Sequence, residues 1–576
     1  MSNQTEKTSR TRKITWIFRG FIILLIPVVA VVYFLLPSSE QVFLTQTENR
    51  LIYKGEIYEN MILMKENTPY ISVEFIKAEI DSALLFDEKS ESIIITTREN
   101  VVQIPEEELE LFINEEPFTF EVPTVVSENG KSYLNLEPLQ SVYPLSVIVD
   151  QSETVFLFAD GDTVTSGEIK DGLSISESRL RTGLSSRTPY TAEVNAGETV
   201  FLEHEEDNYV FARKMNGYGG FILKKHIESL EEKEIVVEIE SREQQEKPMI
   251  EKPINLTWEA IYTKTPNPEQ LPELPGVNVV SPTWFKLKNE KGDVSNLGTL
   301  EYTKWAKDND KQVWALFSND FDPDLTHEAL KDFETRQTII RQLLQYSQMY
   351  ELDGINFDFE NVYLQDGELV TQFMREITPY LHQLGLIVSM DITFISTSEM
   401  WSMFYNREAL SEIVDYMIVM AYDEHWGSSP VAGSVASIPW VDRNINRILE
   451  EIPNEKLILG IPFYARLWQE EETDGGNIEV SSRALSMDQT SAWLEEHDIS
   501  YNYDEESKQN YAEYYDKEEG ITYKLWLEDF HSIEERVNIM EQYDLPGVAS
   551  WARNFANDAA WEHLASLLST GNEKEK

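Results

Sequence analysis

Apolar and polar side chains alternate with a period of two from residue 353 to residue 361, a pattern that predicts a β-strand. The apolar positions are Ile355, Phe357 and Phe359, and the polar positions are Asn356, Asp358 and Glu360. Helix-like stretches from Phe333 to Tyr350 and from Gly367 to Leu384 flank this strand, which indicates a parallel α/β sheet. Strands of such sheets are normally apolar on both faces, so inner polar groups cost folding free energy and indicate a functional site. A half-exposed antiparallel strand would alternate in the same way and is the structural alternative.

Strand patterns continue to alternate with helix patterns from Pro253 onward, which predicts an α/β fold of the (β/α)8 barrel type. The eight predicted strands are Ile254 to Ala260, Val277 to Ser281, Gln312 to Ser318, Gly354 to Glu360, Leu386 to Thr393, Tyr416 to Tyr422, Leu457 to Pro462 and Gly547 to Trp551. The predicted barrel domain, residues 251–568, exceeds the roughly 250 residues typical of this fold. The excess lies at about 469–530, between the seventh and eighth strands, where tyrosine-rich, strand-like segments predict an insertion.

Residues 40–160 are rich in strand patterns and contain an internal repeat with a constant offset of 63 residues. The first copy has Tyr70, Ile71, Val73, Ile76, Leu84, Phe86 and Asp87 where the second has Tyr133, Leu134, Leu136, Leu139, Val147, Val149 and Asp150. Each copy predicts a strand, a short helix and a hairpin, and such repeats usually indicate a duplicated supersecondary unit. A stalk or binding module and a plain spacer are both open as its role.

A second strand-rich region covers residues 163–228. Its predicted strands are Thr199 to Leu202, Tyr209 to Lys214 and Gly220 to Leu223. Asn216 and Gly217 form a hairpin turn signal before the last of these strands. Residues 229–250 are strongly charged and predict a linker.

The N-terminus carries a targeting signal in which basic residues precede a long apolar run. The basic residues are Lys7, Arg10, Arg12, Lys13 and Arg19, and the apolar run extends from Gly20 to Leu36. Counted from Ile14, the segment reaches the roughly 20 residues that cross a bilayer, and no small-x-small cleavage site follows it. We therefore predict a cytoplasmic tail at 1–13 and an uncleaved transmembrane anchor at 14–37, with the remaining chain outside the membrane. A cleaved signal peptide is the alternative.

Composition narrows the range of partners and cofactors. The net charge of -54 argues against nucleic acid as a partner, because phosphate binding needs a basic surface. A hydrophobic content of 41% argues against a disordered chain. The chain has no Cys, which excludes disulfides, Cys-ligated zinc and thiol catalysis. None of the eight His residues has metal-ligand spacing to another His, so we predict no metal and no cofactor.

The stretch from Asp353 to Glu360 resembles the signature of glycoside hydrolase family 18, Asp-Gly-x-Asp-x-Asp-x-Glu. It departs from that signature at Asn356, where the family usually has its first inner Asp. In this respect it is similar to the branch of spore-cortex and peptidoglycan N-acetylglucosaminidases. Two further matches are Met420 to Asp423 on the sixth predicted strand and Ser550 with Trp551 on the eighth. The resemblance covers Pro253 to about Leu568 and implies a TIM barrel with a small α+β insertion that walls the cleft.

The resemblance also implies roles for individual residues. Glu360 would protonate the leaving glycosidic oxygen and later activate water. The substrate's own acetamido oxygen would attack C1, and Asp358 would stabilise the resulting oxazolinium. Tyr422 would donate a hydrogen bond to the acetamido carbonyl, Asp423 would orient Tyr422 or bind a sugar hydroxyl, and Trp551 would form the floor under the reacting sugar. The remaining substrate-binding candidates are Asn356, Glu424, Tyr464 and Arg466.

Several aromatic residues are weaker candidates for the cleft. Trp258 and Glu259, on the first predicted strand, could line it. Trp284, Trp305 and Trp314 suit the core as well as the cleft, and the loop of Glu424, His425 and Trp426 suits either sugar contacts or plain solvent exposure.

The positions of the two inner carboxylates allow a prediction about their pKa values. Asp358 and Glu360 lie one strand period apart, and their repulsion raises the pKa of one of them, as a general acid requires near neutral pH. Asn356 is neutral, and we expect it to donate a hydrogen bond to Asp358 and so keep Asp358 ionised. Asp358 would then set the acid limb of activity.

The N-terminal regions resemble accessory modules of bacterial surface proteins. Residues 40–160 are similar to the small domain first described in copper amine oxidases, without implying copper chemistry. Residues 163–228 resemble a bacterial Src-homology-3-type barrel, although Tyr209 and Phe221 stand where such modules often carry Trp. Wall binding and a structural hinge are both open as the role of this barrel.

Together the resemblances imply a membrane-anchored retaining glycosidase on a Gram-positive-type cell surface. Its partner would be a polysaccharide that contains N-acetylglucosamine, with peptidoglycan favoured by the anchor, the accessory modules and Asn356. A chitinase with the same catalytic residues is one alternative. A non-catalytic carbohydrate-binding protein on the same barrel is the other, although such proteins typically lose the acidic residue that Glu360 supplies here.

Overall fold

The computed structural model of the protein describes residues 36–42, 50–106, 108–239, 245–473 and 476–574. The predicted anchor at 14–37 lies outside these ranges except for its last two residues. Within the ranges, every helix is too short or too polar to cross a bilayer. The chain divides into two compact units. The described residues of the first fall within Met1–Ser82, Glu106–Glu110 and Thr119–Glu240, and those of the second within Ala83–Pro105, Leu111–Phe118 and Ser241–Lys576.

Both copies of the internal repeat contain a strand, a short helix and a hairpin. The elements from residue 50 to residue 159 are β1 Arg50–Tyr53, β2 Glu56–Glu59, β3 Ile62–Lys65, β4 Thr68–Ser72, α1 Val73–Glu79, β5 Leu85–Asp87, β6 Ser92–Thr96, β7 Val101–Pro105, β8 Glu110–Ile113, β9 Glu116–Thr119, β10 Val125–Glu128, β11 Lys131–Asn135, α2 Leu136–Gln140, β12 Leu145–Val149 and β13 Val155–Ala159. The first copy is β4, α1, β5 and β6, and the second is β11, α2, β12 and β13. Their leading strands β4 and β11 pair antiparallel, with Ile71 opposite Leu134. The sheets have the strand orders β12-β13-β1-β2, β10-β11-β4-β3 and β5-β6-β7-β8-β9.

The next region is a seven-stranded antiparallel sheet among the described residues, with the order β16-β15-β19-β18-β17-β14-β20. Its strands are β14 Thr163–Ile169, β15 Arg179–Arg181, β16 Tyr190–Glu193, β17 Thr199–Glu206, β18 Tyr209–Lys214, β19 Gly219–Leu223 and β20 Ile227–Glu234. The predicted turn joins β18 to β19, and Gly217 there has a φ of +83°, which favours glycine. Ile169, Leu180, Val200 and Ile222 are buried in its core.

The second unit contains the predicted barrel and its surrounding helices. Its elements from residue 254 are β21 Ile254–Glu259, β22 Val279–Pro282, β23 Phe285–Leu287, β24 Val294–Asn296, α3 Leu300–Asp308, β25 Gln312–Ser318, α4 Pro323–Leu330, α5 Phe333–Met349, β26 Gly354–Asp358, α6 Gly367–Gln383, β27 Ile387–Ile392, α7 Arg407–Ile413, β28 Tyr416–Met420, α8 Ile438–Ile448, β29 Leu457–Pro462, β30 Tyr464–Glu472, β31 Ile478–Ser486, α9 Met487–Glu496, β32 Asn502–Asp504, β33 Gln509–Asp516, β34 Ile521–Trp526, α10 Phe530–Gln542, β35 Gly547–Trp551 and α11 Asp558–Lys574. Short 3-10 turns lie at Lys224–His226, Pro268–Gln270, Leu364–Asp366, Asn454–Lys456 and Arg553–Phe555, and a π-helical turn lies at Glu399–Met403.

The eight predicted strands close into a parallel barrel, as the sequence predicts. Their order is β21-β22-β25-β26-β27-β28-β29-β35, and β35 returns to pair with β21. Each strand agrees with its prediction to within two residues at either end. The register sets Asn356 beside Ser389 and Asp358 beside Asp391 on the neighbouring strands β26 and β27. The inner polar groups of these two strands therefore share one level of the barrel.

The predicted insertion is a five-stranded antiparallel sheet, with the order β31-β30-β34-β33-β32, that packs against α9. It begins with β30 at Tyr464, five residues earlier than the predicted position of about 469. Tyr464 and Arg466 consequently belong to the first strand of the insertion and not to a barrel loop. Trp493 and Leu525 are buried in its core.

The sheet β5–β9 contributes a hairpin that contacts the barrel helix α5 within the second unit. The Asp87 carboxylate accepts a hydrogen bond from the backbone N–H of Phe333 at 2.8 Å. Glu115 forms an ion pair with Arg341 at 2.7 Å. Asp87 is one of the two hairpin aspartates that mark the internal repeat, so this copy uses it to cap the start of a barrel helix.

A fully buried ion pair joins helices α5 and α6. Arg336 donates to both carboxylate oxygens of Glu376, at 2.9 Å and 2.8 Å, and both side chains are inaccessible to solvent. Gln372 donates to the same carboxylate at 2.9 Å, and Arg336 also donates to the Leu330 carbonyl. The pair has a complete set of hydrogen bonds, so its loss leaves an uncompensated buried charge.

We expect Glu376→Gln to lower the free energy of unfolding of the barrel by about 3–5 kcal/mol, because it leaves the Arg336 guanidinium charged and buried. Urea unfolding followed by tryptophan fluorescence measures this, since 12 of the 13 Trp residues lie in the barrel domain. Glu115→Gln removes a half-exposed ion pair with Arg341 and should cost less than about 1 kcal/mol. Equal losses in the two variants would contradict the assignment.

Candidate active site

The polar face of β26 lies inside the barrel and is almost completely buried. Asn356 is inaccessible to solvent, and Asp358 is 8% exposed. Gly354, at the start of the strand, permits close packing, because a Cβ there would come within 2.7 Å of the Ile387 carbonyl oxygen. The apolar face of the strand, with Ile355 and Phe357, is fully buried against the helix layer. The strand is thus polar on the barrel side and apolar on the outer side.

Glu360 follows the last residue of β26, where the active sites of such barrels lie. The side chain of Asn319, just beyond β25, accepts from the Glu360 backbone N–H at 3.2 Å and donates to the Glu360 carbonyl at 2.8 Å. Tyr405 donates its hydroxyl to the neighbouring Phe359 carbonyl at 2.6 Å. The backbone that carries Glu360 is therefore fixed on both sides, while its carboxyl stays at the mouth of the barrel.

Burial and like charge raise the pKa values of both carboxyls. Burial raises the pKa of Asp358 from its ordinary value of 3.8 to about 7. The pKa of Glu360 lies well above its usual range, first because of burial and then because of the negative charges of Asp358 and Asp423. A negative charge on Asp358 therefore favours the protonated form of the Glu360 carboxyl. A protonated carboxyl at this place can act as a general acid.

The predicted hydrogen bond from Asn356 to Asp358 is wrong. The Asn356 amide donates to Ser389 Oγ at 3.1 Å and to Asp391 Oδ1 at 2.9 Å. Its carbonyl oxygen accepts from Trp258 Nε1 at 3.0 Å and from Ser281 Oγ at 3.2 Å. Ser389 and Asp391 on the neighbouring strand β27 therefore accept both amide hydrogens and leave none for Asp358. The expectation that Asn356 keeps Asp358 readily ionised fails with it, since burial raises the pKa of Asp358.

Asp391 is a third carboxyl in the site that the sequence analysis missed. It is 1% exposed on β27, and its pKa lies well above its usual range because of burial and then because of the charge on Asp358. The sequence contains a pattern that could have identified Asp391. Ser389 and Asp391 alternate with Val388, Met390 and Ile392, with the same period of two as the polar and apolar residues of β26.

Tyr422, Asp423, Tyr464 and Arg466 lie together at the ends of β28 and β29. The rings of Tyr422 and Tyr464 are 6.3 Å apart between centroids. Asp423 Oδ1 accepts from the Tyr464 hydroxyl at 2.6 Å and from Arg466 Nη2 at 3.2 Å. Asp423 therefore orients Tyr464, and its predicted role in orienting Tyr422 or binding a sugar hydroxyl stays a prediction. Burial and then the charge of Asp391 hold the pKa of Tyr422 well above its usual range, so its hydroxyl stays protonated as a donor.

The aromatic candidates divide between the site and the core. Trp551 at the end of β35 is half-buried and lies 5.8 Å from Trp258, ring centroid to ring centroid. Trp284 and Trp314 are fully buried and belong to the core, while Trp305 packs on its edge.

The loop residues predicted to bind sugar make local contacts. The Glu424 carboxylate accepts from the Ser437 backbone N–H at 2.8 Å, which engages it at the start of α8. His425 contacts the Ser434 carbonyl at 2.8 Å, and Trp426 is 53% exposed. Glu259 forms an ion pair with Arg553. Among the described residues there is no group of three or more His, Asp and Glu side chains placed to hold a metal ion.

Comparison with known proteins identifies the family to which this barrel domain belongs. Residues 267–556, half of the chain, match the family model described as glycosyl hydrolases family 18. The chain belongs to glycoside hydrolase family 18. The matched range contains seven of the eight barrel strands, from β22 to β35, and the acidic cluster at the end of β26, whereas β21 precedes it. It also contains the candidate-site residues named above from Trp284 to Arg553.

Curated relatives of the family 18 domain include enzymes of two kinds. The chain is 27% identical over 244 residues to the cortical fragment-lytic enzyme of Bacillus subtilis, covering 42% of this chain and 56% of that protein. It is 22% identical over 284 residues to the di-N-acetylchitobiase of Homo sapiens, covering 42% of this chain and 72% of that protein. The chain thus spans a little over half the length of the cortical fragment-lytic enzymes that it matches.

A solved structure is similar to this chain at low sequence identity. The Bacillus cereus spore cortex-lytic enzyme SleL is 17% identical with a TM-score of 0.49, and the match covers 71% of this chain and 98% of that one.

Proposed function

We propose that this chain is a retaining, substrate-assisted glycoside hydrolase that cleaves cell-wall glycan at N-acetylglucosamine. The observation that carries the proposal is the placement of Asp358 and Glu360 on one face at the carboxyl end of β26, where burial and then the negative charge of Asp358 raise the pKa of Glu360. One carboxylate and one carboxylic acid side by side are what the two halves of this reaction require.

The residues present account for each step. Glu360 donates its proton to the glycosidic oxygen while the acetamido oxygen of the substrate forms a bond to C1 and the C1–oxygen bond breaks. The resulting oxazolinium is cationic, and the Asp358 carboxylate stabilises it by its charge and by accepting the acetamido N–H. Tyr422 donates to the acetamido oxygen. Glu360, now ionised, removes a proton from water as the water oxygen bonds to C1 and the bond between C1 and the acetamido oxygen breaks, so the configuration at C1 is retained.

Peptidoglycan is the substrate that we favour. Two observations support it: the similarity to cortical fragment-lytic enzymes and the strand-rich regions at 40–160 and 163–228, which resemble accessory modules of wall hydrolases. Chitin oligomers are the second candidate, supported by the similarity to di-N-acetylchitobiase. The presence of Glu360, Asp358 and Tyr422 together argues against a non-catalytic carbohydrate-binding protein.

We further propose that the enzyme acts outside the membrane, held by the predicted anchor at 14–37. The basic residues that precede this apolar segment support this orientation. In this arrangement the regions at 40–160 and 163–228 connect the anchor to the barrel.

The test is digestion of purified peptidoglycan and of chitin oligomers by the full-length chain, with the new reducing ends identified by mass spectrometry. We expect reducing N-acetylglucosamine from peptidoglycan, absent with the Glu360→Gln variant. Cleavage of chitin oligomers alone would assign a chitinase instead. Glycan binding without any cleavage would overturn the enzymatic proposal and favour the carbohydrate-binding alternative.

A further inference from the structure

The buried carboxyl of Asp391 has no role in the reaction described so far. Its Oδ1 accepts from the Asn356 amide at 2.9 Å, and its Cα is paired in register with that of Asp358 on the adjacent strand. Adjacent strands lie about 4.8 Å apart, so the two inward-pointing carboxyls are neighbours. Asp391 is 1% exposed, and a buried acid of this kind needs a partner.

Asp358 lacks a hydrogen bond that a protonated neighbour could donate. Its Oδ1 is buried and has no hydrogen-bond donor among the described residues. The amide of Asn356 is committed to Ser389 and Asp391, so it cannot supply one. On the adjoining strand β27, Asp391 lies in register with Asp358, and its carboxyl can supply a donor when it is protonated. Oδ1 of Asp391 accepts from the Asn356 amide, so the proton would be carried by its other oxygen.

The charges around Asp391 leave it protonated. Burial and the like charges of Asp358 and Glu360 on β26 raise the pKa of Asp391, and they outweigh the hydrogen bonds from Asn356 and from Trp258 on β21, which lower it. Tyr405, ahead of α7, and Tyr422, after β28, face the same cluster, and burial together with the nearby carboxylates keeps both hydroxyls protonated. Neighbouring buried carboxyls cannot all ionise, so the first negative charge forms on Asp358 and the proton stays with Asp391.

We propose that Asp391 is a positioning residue of the reaction, which holds the Asn356 amide through one oxygen and shares the proton on its other oxygen with Asp358. This inference rests on the proposed glycosidase function. In the empty site the proton passes between the two carboxyls, so that one is neutral when the other is charged. When the cationic intermediate forms, the proton resides on Asp391 and the negative charge on Asp358. The exchange moves one proton and changes no other bond.

Three variants separate this role from a purely structural one. Asp391→Asn keeps a hydrogen-bonding side chain but has no proton to transfer. Asn356→Asp combined with Asp391→Asn moves the carboxyl to the other side of the same hydrogen bond. Ser389→Ala disturbs the same Asn356 amide without changing a titratable group.

The measurement is the pH profile of kcat/KM on the substrate that the wild-type chain cleaves. We expect Asp391→Asn to move the acid limb upward by about one pH unit, because the Asp358 carboxylate loses a shared proton that stabilises it. Activity at the alkaline end should stay within about threefold of wild type. The double variant should return the limb towards its wild-type position, and Ser389→Ala should leave the limb in place. A loss in Asp391→Asn that is the same factor at every pH, or an unchanged profile, would overturn the inference.

An infrared measurement on the free protein tests the proton without relying on activity. At a pH of about 8, above the pKa of Asp358, the carbonyl band of one buried protonated carboxyl should disappear in Asp391→Asn and persist in Ser389→Ala. Persistence of the band in Asp391→Asn would show that Asp391 is ionised and would overturn the inference. If the wild-type chain cleaved neither glycan, the proposed function would fail while this result still decided the state of Asp391.

Discussion

Replacing Glu360 with Gln is expected to lower kcat by about 1,000-fold, because general acid catalysis contributes roughly 10²–10⁴ to such reactions. Gln keeps the size and hydrogen-bonding capacity of the side chain but cannot give a proton to the leaving oxygen. Substrate affinity should stay within about threefold, since the amide leaves the cleft intact and removes a group that acts mainly in the transition state. Steady-state kinetics with a soluble N-acetylglucosamine oligomer, and binding of the same oligomer measured by calorimetry, give the two values.

Glu408→Gln is the matched control, because Glu408 is an exposed residue on α7 in the same domain. We expect it to keep kcat within about twofold of wild type, as exposed substitutions away from the site usually do. Full activity in Glu360→Gln would remove Glu360 as the acid. Asp358 and Asp391 would then be the carboxyls to examine, since both are buried beside it.

The fold was largely predictable because the barrel strands are marked by local patterns. Each of them is a short apolar or alternating run between helices, and the barrel closes in the predicted order. The start of the insertion was placed too late. Tyr464 follows β29 after a single residue, and no turn signal separates the barrel strand from the first insertion strand. A strand that leaves one sheet and enters another without a loop cannot be divided by pattern alone.

The candidate site was predictable as far as it depends on spacing along one strand. Asp358 and Glu360 follow from the period of two, and burial raises the pKa of each. The partner of Asn356 was predicted wrongly, because it depends on which residues lie opposite in the next strand. Asp391 was missed for the same reason, because its position beside Asp358 becomes apparent only when β27 is placed in register with β26.

Burial of the Asp358 charge inside the barrel lowers the free energy of unfolding. This links the activity of the site to the stability of the barrel. Burial raises the pKa of Asp358 from 3.8 to about 7, so the folded state binds its proton more tightly than the unfolded state does. At a pH below about 4 both states are protonated, and Asp358 contributes no pH dependence. Between about pH 4 and 7 the unfolded state loses the proton first, so stability falls as pH rises. Above about pH 7 the full penalty is present.

Replacing Asp358 with Asn should therefore abolish most activity and stabilise the fold at the same time. We expect kcat to fall by about 100- to 1,000-fold, because the cationic intermediate loses its nearest negative charge. Above pH 7 the free energy of unfolding of the barrel should rise by about 2–4 kcal/mol, since a neutral amide avoids the cost of a buried charge. At a pH of about 4 the gain should fall below about 1 kcal/mol, because Asp358 is then protonated in the folded wild type and about half protonated in the unfolded state.

Urea unfolding followed by tryptophan fluorescence at pH 4, 6 and 8 measures the stability of both proteins. Asp308→Asn is the matched control, because Asp308 is exposed on α3 of the same barrel and should change stability by less than about 0.5 kcal/mol at each pH. A gain in Asp358→Asn that is independent of pH would mean that packing, not the charge, is responsible. A loss of stability at pH 8 would mean that Asp358 is stabilised as a carboxylate in the free protein. In that case a hydrogen-bond donor other than Asp391 would stabilise the Asp358 carboxylate, because the proton shared with Asp391 does not by itself offset the free energy lost when the charge is buried.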